Sequence, residues 1–391
     1  MSALALPLLW IVALPAVGSS LYLLGLTLLS ARNRPPPASQ RAMRFDVIIP
    51  AHNEEAGIAA VVRSTLSLDW PADRFRVVVV ADNCTDGTAR IATEAGAQVL
   101  VRNNSELRGK GHALDHAFRE SRERGWAEAV AIIDADSVVS PNLLEAMAAR
   151  MERGAQAVQV HYGVSNLHAS WRTRLMAIAM GAFHRLRSRA RERLGLSCGI
   201  RGNGWALTHA LLQRVPYASY SLAEDLEFGI ELGMREIRVA YADEAQCDGE
   251  MVSGEKAARS QRRRWEQGRA ALLRSAVLPL LKRAVTAPSL VCLDLALDLL
   301  VLPLSYVALN VLALTAIALL LAPASAWPWT GLLCLAALVL YVLRGWQLSG
   351  TGIRGLADLT RAPFFLVWKL VVMLRGRRTT EWVRTNREDK S

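Results

Sequence analysis

In the stretch "AVAIIDADSVVS", residues 129 to 140, an apolar run leads directly into two aspartates. A short apolar run that is bounded by polar residues is typical of a buried strand. Asp134 and Asp136 are separated by a single alanine, and two carboxylates so close repel each other unless a cation or solvent lies beside them. The stretch therefore predicts a buried strand with a metal ion, a basic side chain or solvent at its end.

Similar apolar runs recur along the chain and alternate with helix-like stretches. The predicted strands are Phe45–Ile49, Phe75–Ala81, Ala97–Val101, Ala129–Ile133 and Val158–His161. The predicted helices are Glu55–Leu66, Asp86–Ala95, Lys110–Arg124 and Pro141–Arg153. This alternation predicts a Rossmann-like α/β fold, with a mostly parallel sheet and helices on both faces. Ligands of such sheets bind at the carboxyl ends of the strands.

Polar residues collect at those predicted strand ends, in "PAHNEE" (50–55), "ADNCTDGT" (81–88) and "DADS" (134–137). "RGKGHAL" (108–114) adds a basic, glycine-rich turn that opens a helix, which suits a phosphate or diphosphate; a solvated loop is the alternative. The sequence has no Walker A motif, and no GxGxxG follows the first strand, which disfavours a P-loop NTPase or a dinucleotide enzyme. The five cysteines include no CxxC pair, so neither a zinc site nor a disulfide framework is expected.

Two long uncharged stretches predict membrane spans. Residues 1–31 carry no charged side chain, and neither does Leu299–Leu343, which "PASAWP" (323–328) interrupts. About 20 apolar residues cross a bilayer, so three spans are expected. A cleaved signal peptide is disfavoured because no basic residue precedes the first apolar stretch.

The basic residues predict the orientation of these spans. The net charge is +11, and ten Lys or Arg against four Asp or Glu lie from Arg344 to the end, whereas the turn between the last two spans is uncharged. The positive-inside rule then puts the N-terminus outside and the central and C-terminal regions on the cytoplasmic side of the membrane. The membrane is expected to be a bacterial inner membrane. Anionic headgroups explain the basic excess, so nucleic-acid binding is disfavoured.

The motifs together resemble the membrane-bound family 2 glycosyltransferases with a GT-A catalytic domain, which include cellulose, chitin and hyaluronan synthases and bacterial exopolysaccharide enzymes. Each motif alone is weakly specific, and the resemblance rests on their order and spacing from Phe45 to Arg274, with the flanking membrane helices. The motifs are "PAHNEE", "ADNCTDGT", "DAD", "RGNGWAL" (201–207), "AED" (223–225) and "QRRRW" (261–265), the last fitting QxxRW.

The resemblance implies a role for each matching position. Asp225 would be the general base, with Glu224 beside it, and Asp134 and Asp136 would hold Mg²⁺ or Mn²⁺, with Asp136 as the direct ligand. The implied donor-binding residues are Pro50, Asn53, Glu54, Asp82, Lys110, Asp134, Gln261, Arg264 and Trp265. The implied acceptor-side residues are Gly202, Asn203, Gly204 and Trp205. The chain departs from the family pattern at Asn83, where the family often has Asp, and at Ala223, where it often has Thr. Neither change defines the acceptor.

The expected domains follow from the resemblance and the spans. They are an N-terminal transmembrane helix (1–31), a linker (32–44), a cytoplasmic GT-A domain (45–283), an interfacial helix with a two-helix transmembrane hairpin (284–346), and a cytoplasmic interfacial helix with a basic tail (347–391). The stretch Trp171–Gly195 carries seven arginines and predicts a further helix on the cytoplasmic leaflet; a helix packed on the domain is the alternative. Asp294 and Asp298 are expected to be solvated at the membrane interface.

The family's chemistry predicts an inverting transfer from a nucleotide sugar, UDP-linked by expectation, which forms a β-glycosidic bond. A carboxylate takes the proton of the acceptor hydroxyl, and a divalent cation offsets the charge on the leaving diphosphate. A growing polysaccharide is the first acceptor hypothesis, and a lipid or lipid-linked acceptor of one sugar is the second. A silent nucleotide-sugar-binding membrane protein is a third. Membrane lipids, a second copy of the chain and an export partner are the other partners considered.

Overall fold

The predicted apolar runs form the centre of an eight-stranded sheet with the order β3-β2-β1-β4-β7-β6-β8-β5. The strands are β1 (Phe45–Ala51), β2 (Phe75–Asp82), β3 (Gln98–Arg102), β4 (Ala129–Ile132), β5 (Ser137–Val139), β6 (Ala157–Val164), β7 (Trp205–Thr208) and β8 (Val239–Gly249). The computed structural model describes the backbone of residues 5–251 and 255–364, and the side chains of residues 6–251 and 265–364. Strands β1 to β4 pair in parallel, as predicted.

Fourteen α-helices are described in those ranges. In the α/β domain they are α2 (Ile58–Leu66), α3 (Thr88–Glu94), α4 (Lys110–Arg124), α5 (Leu143–Met151), α6 (Trp171–Met180), α7 (Arg187–Arg193), α8 (His209–Arg214) and α9 (Glu224–Met234). The others are α1 (Ala5–Leu28), α10 (Glu255–Thr286), α11 (Leu290–Leu300), α12 (Leu304–Leu321), α13 (Trp327–Leu348) and α14 (Gly352–Asp358). A π-helical turn (Gly181–Leu186) joins α6 to α7, and a 3₁₀ turn (Leu359–Arg361) follows α14.

Both faces of the sheet are covered, which is why its strands are almost continuously apolar. In β1, Val47 and Ile49 pack on one face with residues of α2 and α5, whereas Ile48 packs on the other face with residues of α4 and α9. The predicted α/β fold with helices on both faces is therefore confirmed.

Three strands were not predicted, and each has a physical reason. β5 and β7 have only three and four residues, and β8 contains Asp243, Glu244 and Asp248. Glu244 is balanced by the buried Arg150, and Asp243 accepts hydrogen bonds from arginines of the π turn and α7. β7 runs antiparallel to β4, so it brings "RGNGW" beside the end of the strand that precedes Asp134.

In the part of the chain that the structure describes, three helices are long and apolar enough to span a membrane: residues Leu6–Leu28 of α1, α12 and α13. They correspond to the three predicted spans, and they pack on one another through a shared apolar cluster. Part of the interfacial helix predicted around Leu356–Leu374 is α14 and the turn after it. The rest of that helix and the basic tail lie outside the described residues.

The arginine-rich stretch Trp171–Gly195 does not lie on a leaflet with its arginines in solvent. Arg187, Arg189 and Arg191 are buried, and the π turn packs directly on α13, so the alternative of a packed helix is correct. Asp294 and Asp298 are buried too, and the prediction of solvation is wrong. The reason is that α7, about a hundred residues earlier, delivers the counter-charges to both aspartates.

The contact between the π turn and α13 depends on two glycines. A Cβ atom at Gly345 would lie 2.6 Å from the Cβ of Ala182, and one at Gly181 would lie 2.6 Å from the Gly345 carbonyl oxygen. Gly345→Ala is therefore expected to separate the domain from α13 and to destabilise the protein by about 1–3 kcal/mol, as overpacking typically does. Thermal unfolding of purified protein in detergent measures this.

The matched control is Gly25→Ala in α1, because a Cβ at Gly25 would have no heavy atom within 4 Å. Alanine favours a helix over glycine, so the melting temperature of this variant is expected to equal or exceed that of the wild type. Equal melting temperatures for the two variants would contradict the tight contact at Gly345.

Candidate active site

The loops after β1 and β2 interlock through their polar residues. Asn53, in the left-handed region at φ 55°, accepts a hydrogen bond from the Thr85 N–H at 2.7 Å. The Glu54 N–H donates to the Thr88 hydroxyl at 2.8 Å, and Pro50 lies in β1 itself. The first two motifs therefore form one rigid edge at the carboxyl ends of neighbouring parallel strands.

Asp82 has a cationic partner that sequence reasoning missed. Its carboxylate accepts hydrogen bonds from Arg102 at 2.5 Å and from the Asn83 side chain at 3.1 Å, and Asp82 is 6% exposed. Arg102 ends β3 and is the register partner of Asp82, so the pairing of the two strands would have revealed it. Asn83, where the family often has Asp, accepts from the Asn104 N–H at 2.8 Å and so fixes the loop after β3.

Lys110 connects three of the motifs. It opens α4 after Gly109, whose φ of 114° suits glycine. Its Nζ lies 2.6 Å from Asp134 Oδ1, 2.7 Å from the Gly202 carbonyl oxygen and 3.8 Å from Glu224 Oε1. Burial by itself lowers the pKa of Lys110, but the carboxylates of Asp134 and Glu224 outweigh burial and raise it. Lys110 is therefore a permanent cation among carboxylates.

Asn203 fixes the turn that carries the two aspartates. Its Oδ1 accepts from the Asp134 N–H at 3.0 Å, and its Nδ2 donates to the Ser137 hydroxyl at 2.6 Å. The Ser137 hydroxyl in turn donates to Asp136 Oδ1 at 3.3 Å. Asn203 is fully buried, so its place is behind the aspartates and not on the acceptor side.

Trp205 also differs from its expected acceptor-side position. It is 1% exposed and packs edge-on against Phe118 in the core below the sheet. Gly204 packs closely on the opposite face of the sheet, because a Cβ there would lie 2.6 Å from Val160 Cγ2. Gly202 alone of the four predicted acceptor-side residues borders the carboxylates, since a Cβ at this position would lie 3.2 Å from Asp225 Oδ2.

Glu224 and Asp225 are the first two residues of α9, where the helix dipole favours negative charge. Burial raises the pKa of Glu224 to about 7; the Lys110 ammonium group opposes this rise and the Asp225 carboxylate adds to it. Burial also raises the pKa of Asp225, again against the effect of Lys110. A carboxylate with a raised pKa is a stronger base than an ordinary aspartate.

Helix α10 carries the QxxRW motif past the start of α9. A Cβ at Gly268 would lie 2.8 Å from the Cβ of Ala223, so the two helices touch directly beside Glu224. Trp265, one turn before Gly268, is 37% exposed. The side chains of Gln261 and Arg264 lie outside the described residues, and only the helical backbone of these positions is described.

The aspartate pair fits a divalent cation bound jointly with a substrate. Among the side chains of residues 6–251 and 265–364, no three of His, Cys, Asp or Glu are grouped so as to hold a metal by themselves. Mg²⁺ is commonly bound by one or two carboxylates together with substrate phosphates and water. Tyr162 of β6 lies close to the pair: burial raises its pKa, and the charges of Asp134 and Asp136 add to the rise.

Comparisons with known proteins agree with this site. The family described as "Glycosyltransferase like family 2" matches residues 42–268. Beta-monoglucosyldiacylglycerol synthase of Synechocystis sp. is 28% identical over 232 residues, 57% of this chain and 47% of that protein. The uncharacterized glycosyltransferase Mb0553 of Mycobacterium bovis is 30% identical over 202 residues, 48% of this chain and 86% of that protein. This chain thus spans about half of the length of the synthase.

A solved structure shares the fold. Mannosyltransferase PcManGT from Pyrobaculum calidifontis, in complex with GDP-Man and Mn²⁺, superimposes with a TM-score of 0.54 at 20% identity. The match covers 84% of this chain and 98% of that protein, so the fold is GT-A-like. Because the family match extends over more than half of the sequence, the chain belongs to the family 2 glycosyltransferases.

Proposed function

We propose that the protein transfers a sugar from a nucleotide sugar to an acceptor at a membrane surface. The observation that carries the proposal is the arrangement around Gly202: its carbonyl oxygen accepts a hydrogen bond from Lys110, which also binds Asp134, and its Cα faces Asp225. Groups suited to a diphosphate therefore lie on one side of a single backbone turn, and a carboxylate suited to an acceptor hydroxyl lies on the other.

On the donor side, we assign Asn53, Glu54 and Asp82 to the nucleoside and Lys110 to the diphosphate. Asp134 and Asp136 would hold Mg²⁺ or Mn²⁺, which when bound offsets the negative charge of the leaving group. Lys110 supports the same role, because it is a partly buried cation 2.6 Å from Asp134. Gln261, Arg264 and Trp265 remain assigned to the diphosphate and the acceptor end on the resemblance alone.

On the acceptor side, Asp225 takes the proton of the attacking hydroxyl. Its burial and raised pKa support this role, and its position at the N-terminus of α9 holds it in the charged form in which it acts as a base. Direct attack on the anomeric carbon inverts its configuration, so an α-linked donor gives a β-linkage. Glu224 faces Lys110 and is assigned to supporting the charge balance of the site.

Of the two acceptor hypotheses, we favour a lipid that receives one sugar. The relative from Synechocystis is named a beta-monoglucosyldiacylglycerol synthase, which supports this preference. The QxxRW motif supports a growing polysaccharide as the second candidate. We further propose the domain boundaries stated above, with the GT-A domain on the cytoplasmic side of a bacterial inner membrane.

Replacing the base tests the function. Asp225→Asn is expected to lower kcat by about 10²–10⁴-fold, because it removes general base catalysis while keeping the size of the side chain. UDP release by purified protein with a panel of UDP-sugars, Mg²⁺ or Mn²⁺ and membrane lipid measures the effect. Asp115→Asn, which removes a carboxylate paired with Arg119 on α4, is the control and is expected to leave kcat unchanged.

Full activity of Asp225→Asn would exclude Asp225 as the base. The size of the labelled product separates the acceptors: a lipid-extractable product with one sugar supports the lipid, and a high-mass product supports the polysaccharide. Metal-dependent UDP binding by the wild type, without turnover of any donor, would favour the silent binding protein.

The raised pKa values predict an acid limb in the pH profile. The base acts only when deprotonated, so kcat/KM is expected to fall as the pH drops and Asp225 and Glu224 take up protons. Because burial raises the pKa of Asp225, the limb should lie at a higher pH than that of an unperturbed aspartate. A limb near pH 4, where an unperturbed aspartate titrates at about 3.9, would contradict burial as the controlling factor.

The position of Asn203 predicts an effect on metal binding that can be measured in the absence of turnover. Asn203→Ala removes both hydrogen bonds that hold the Asp134–Ser137 turn, and loss of such supporting contacts typically weakens metal binding about 10–100-fold. Titration of Mn²⁺ in the presence of UDP, by calorimetry or electron paramagnetic resonance, measures this. Asn142→Ala, which removes one hydrogen bond to the Glu244 carbonyl, is the control. Equal Mn²⁺ affinity in the two variants would disprove the role of Asn203.

A further inference from the structure

A buried group of arginines and aspartates lies where the GT-A domain meets the membrane-long helices. We call it the junction cluster, and it consists of Arg187, Arg191, Arg201, Arg269, Asp294 and Asp298. Asp298 accepts from Arg187 at 2.7 Å and from Arg191 at 2.8 Å, and it lies 3.6 Å from Arg201. Three guanidinium groups thus share two carboxylates, and Arg269 donates to the backbone carbonyl oxygen of Asp298.

Positive charge is in excess within the cluster, and the pKa values of two of its arginines are lowered. Burial lowers the pKa of Arg269 to about 10; Asp298 opposes this, and Arg187, Arg201 and Arg191 lower it further. Burial and the charge of Arg191 also lower the pKa of Arg201, although Asp298 is close. Buried charges are normally paired, because taking them out of water is costly. The carboxylates among the described residues leave this cluster undercompensated.

One donor of the cluster has no acceptor. Arg191 is fully buried, and its Nη1 has no hydrogen-bond partner among the described residues, whereas its Nε binds Asp294 at 2.7 Å. A buried charged donor without a partner calls for an explanation, and an absent ion is a standard one. Arg187, Arg201 and Arg269 also surround the Phe183 ring at 4.7, 4.8 and 5.7 Å, and Phe183 belongs to the π turn, a feature frequent at functional sites.

The cluster lies near the ends of the membrane-long helices, at the depth where lipid headgroups would lie. Arg269 donates to the Val301 carbonyl oxygen at 3.0 Å, just before α12 begins at Leu304. Arg191 donates to the Tyr22 hydroxyl at 2.6 Å, six residues or about 9 Å from the end of α1. Arg187 donates to the Tyr341 hydroxyl of α13 at 2.9 Å. Basic pockets between membrane helices bind lipid headgroups, and ionisable residues at this depth mark ligand sites.

We propose that the junction cluster binds a phosphate group, supplied by the headgroup of an anionic membrane lipid. A phosphate provides both the missing negative charge and several acceptor oxygens for guanidinium donors. It would enter beside Arg269, which unlike Arg191 and Arg201 retains partial exposure. Free phosphate shares this chemistry and is the other possible source. The binding site is independent of the proposed transfer reaction.

Binding of a phosphate to the junction cluster would also affect the candidate active site. Arg201 directly precedes Gly202, whose carbonyl oxygen accepts from Lys110. The Arg201 side chain is fixed by its own Nε hydrogen bond to the Cys198 carbonyl at 2.9 Å, and its N–H by Gln159 at 2.8 Å. A phosphate that neutralises Arg201 would thus hold the turn that connects Lys110 to Asp225.

The experiment compares thermal unfolding of the full-length protein in three nanodisc preparations: phosphatidylcholine alone, phosphatidylcholine with phosphatidylglycerol, and phosphatidylcholine with added inorganic phosphate. Phosphatidylglycerol is expected to raise the melting temperature of the wild type, because a ligand that binds only the folded state stabilises it. Arg269→Gln is expected to lose this rise. Native mass spectrometry of detergent-purified protein counts the retained phosphatidylglycerol and should find it in the wild type and not in Arg269→Gln.

The matched control is Arg283→Gln, which removes the same charge from the same helix at a partly exposed site near Glu236. It should keep the rise, which excludes general attraction of α10 to an anionic surface. Arg269→Lys keeps the charge but loses the planar fork, so it should retain part of the rise even if Arg269→Gln folds poorly. An equal, Arg269-dependent rise with inorganic phosphate would support the phosphate site and name free phosphate as its source. No rise with either addition, or a rise that persists in both Arg269 variants at full size, would overturn the proposal.

Discussion

The candidate site depends on Lys110, the cation that the described side chains place among four carboxylates. Asp134, Asp136, Glu224 and Asp225 come from two distant segments and meet at one edge of the sheet, where they would repel one another without positive charge between them. Lys110 supplies that charge, and its hydrogen bond to the Gly202 carbonyl oxygen fixes the backbone between the two pairs. The motifs are therefore joined by electrostatics before any ligand is bound.

The junction cluster is a second group of close charges, and in this group positive charge is in excess. There, arginines of α7, α10 and the loop before β7 outnumber the aspartates of α11. Arg201 and Gly202 are adjacent in sequence, so the acidic and basic groups are connected by one peptide bond. This short connection would couple the proposed phosphate site to the turn between Lys110 and Asp225.

The sequence predicted the parallel half of the sheet because its strands are long apolar runs. The bounds of α4 were predicted without error, since Gly109 and Gly125 flank it and both adopt positive φ. Strands β7 and β8 were not predicted, because β7 is short and β8 contains carboxylates that arginines neutralise. Motif membership also misplaced Asn203 and Trp205, because a motif records which residues occur together and not which of them face solvent. Asp294 and Asp298 were misjudged for a related reason: their partners lie about a hundred residues away.

The pairing of Asp82 with Arg102 has a consequence for the dynamics of the sheet. β3 is an edge strand, paired only with β2, and Val101 beside Arg102 is 61% exposed. Edge strands open locally at lower free energy than central ones. Each such opening takes away the counter-ion of Asp82 while the carboxylate stays in place. The electrostatic character of the proposed nucleoside pocket would therefore depend in part on whether one peripheral strand, β3, stays paired with β2.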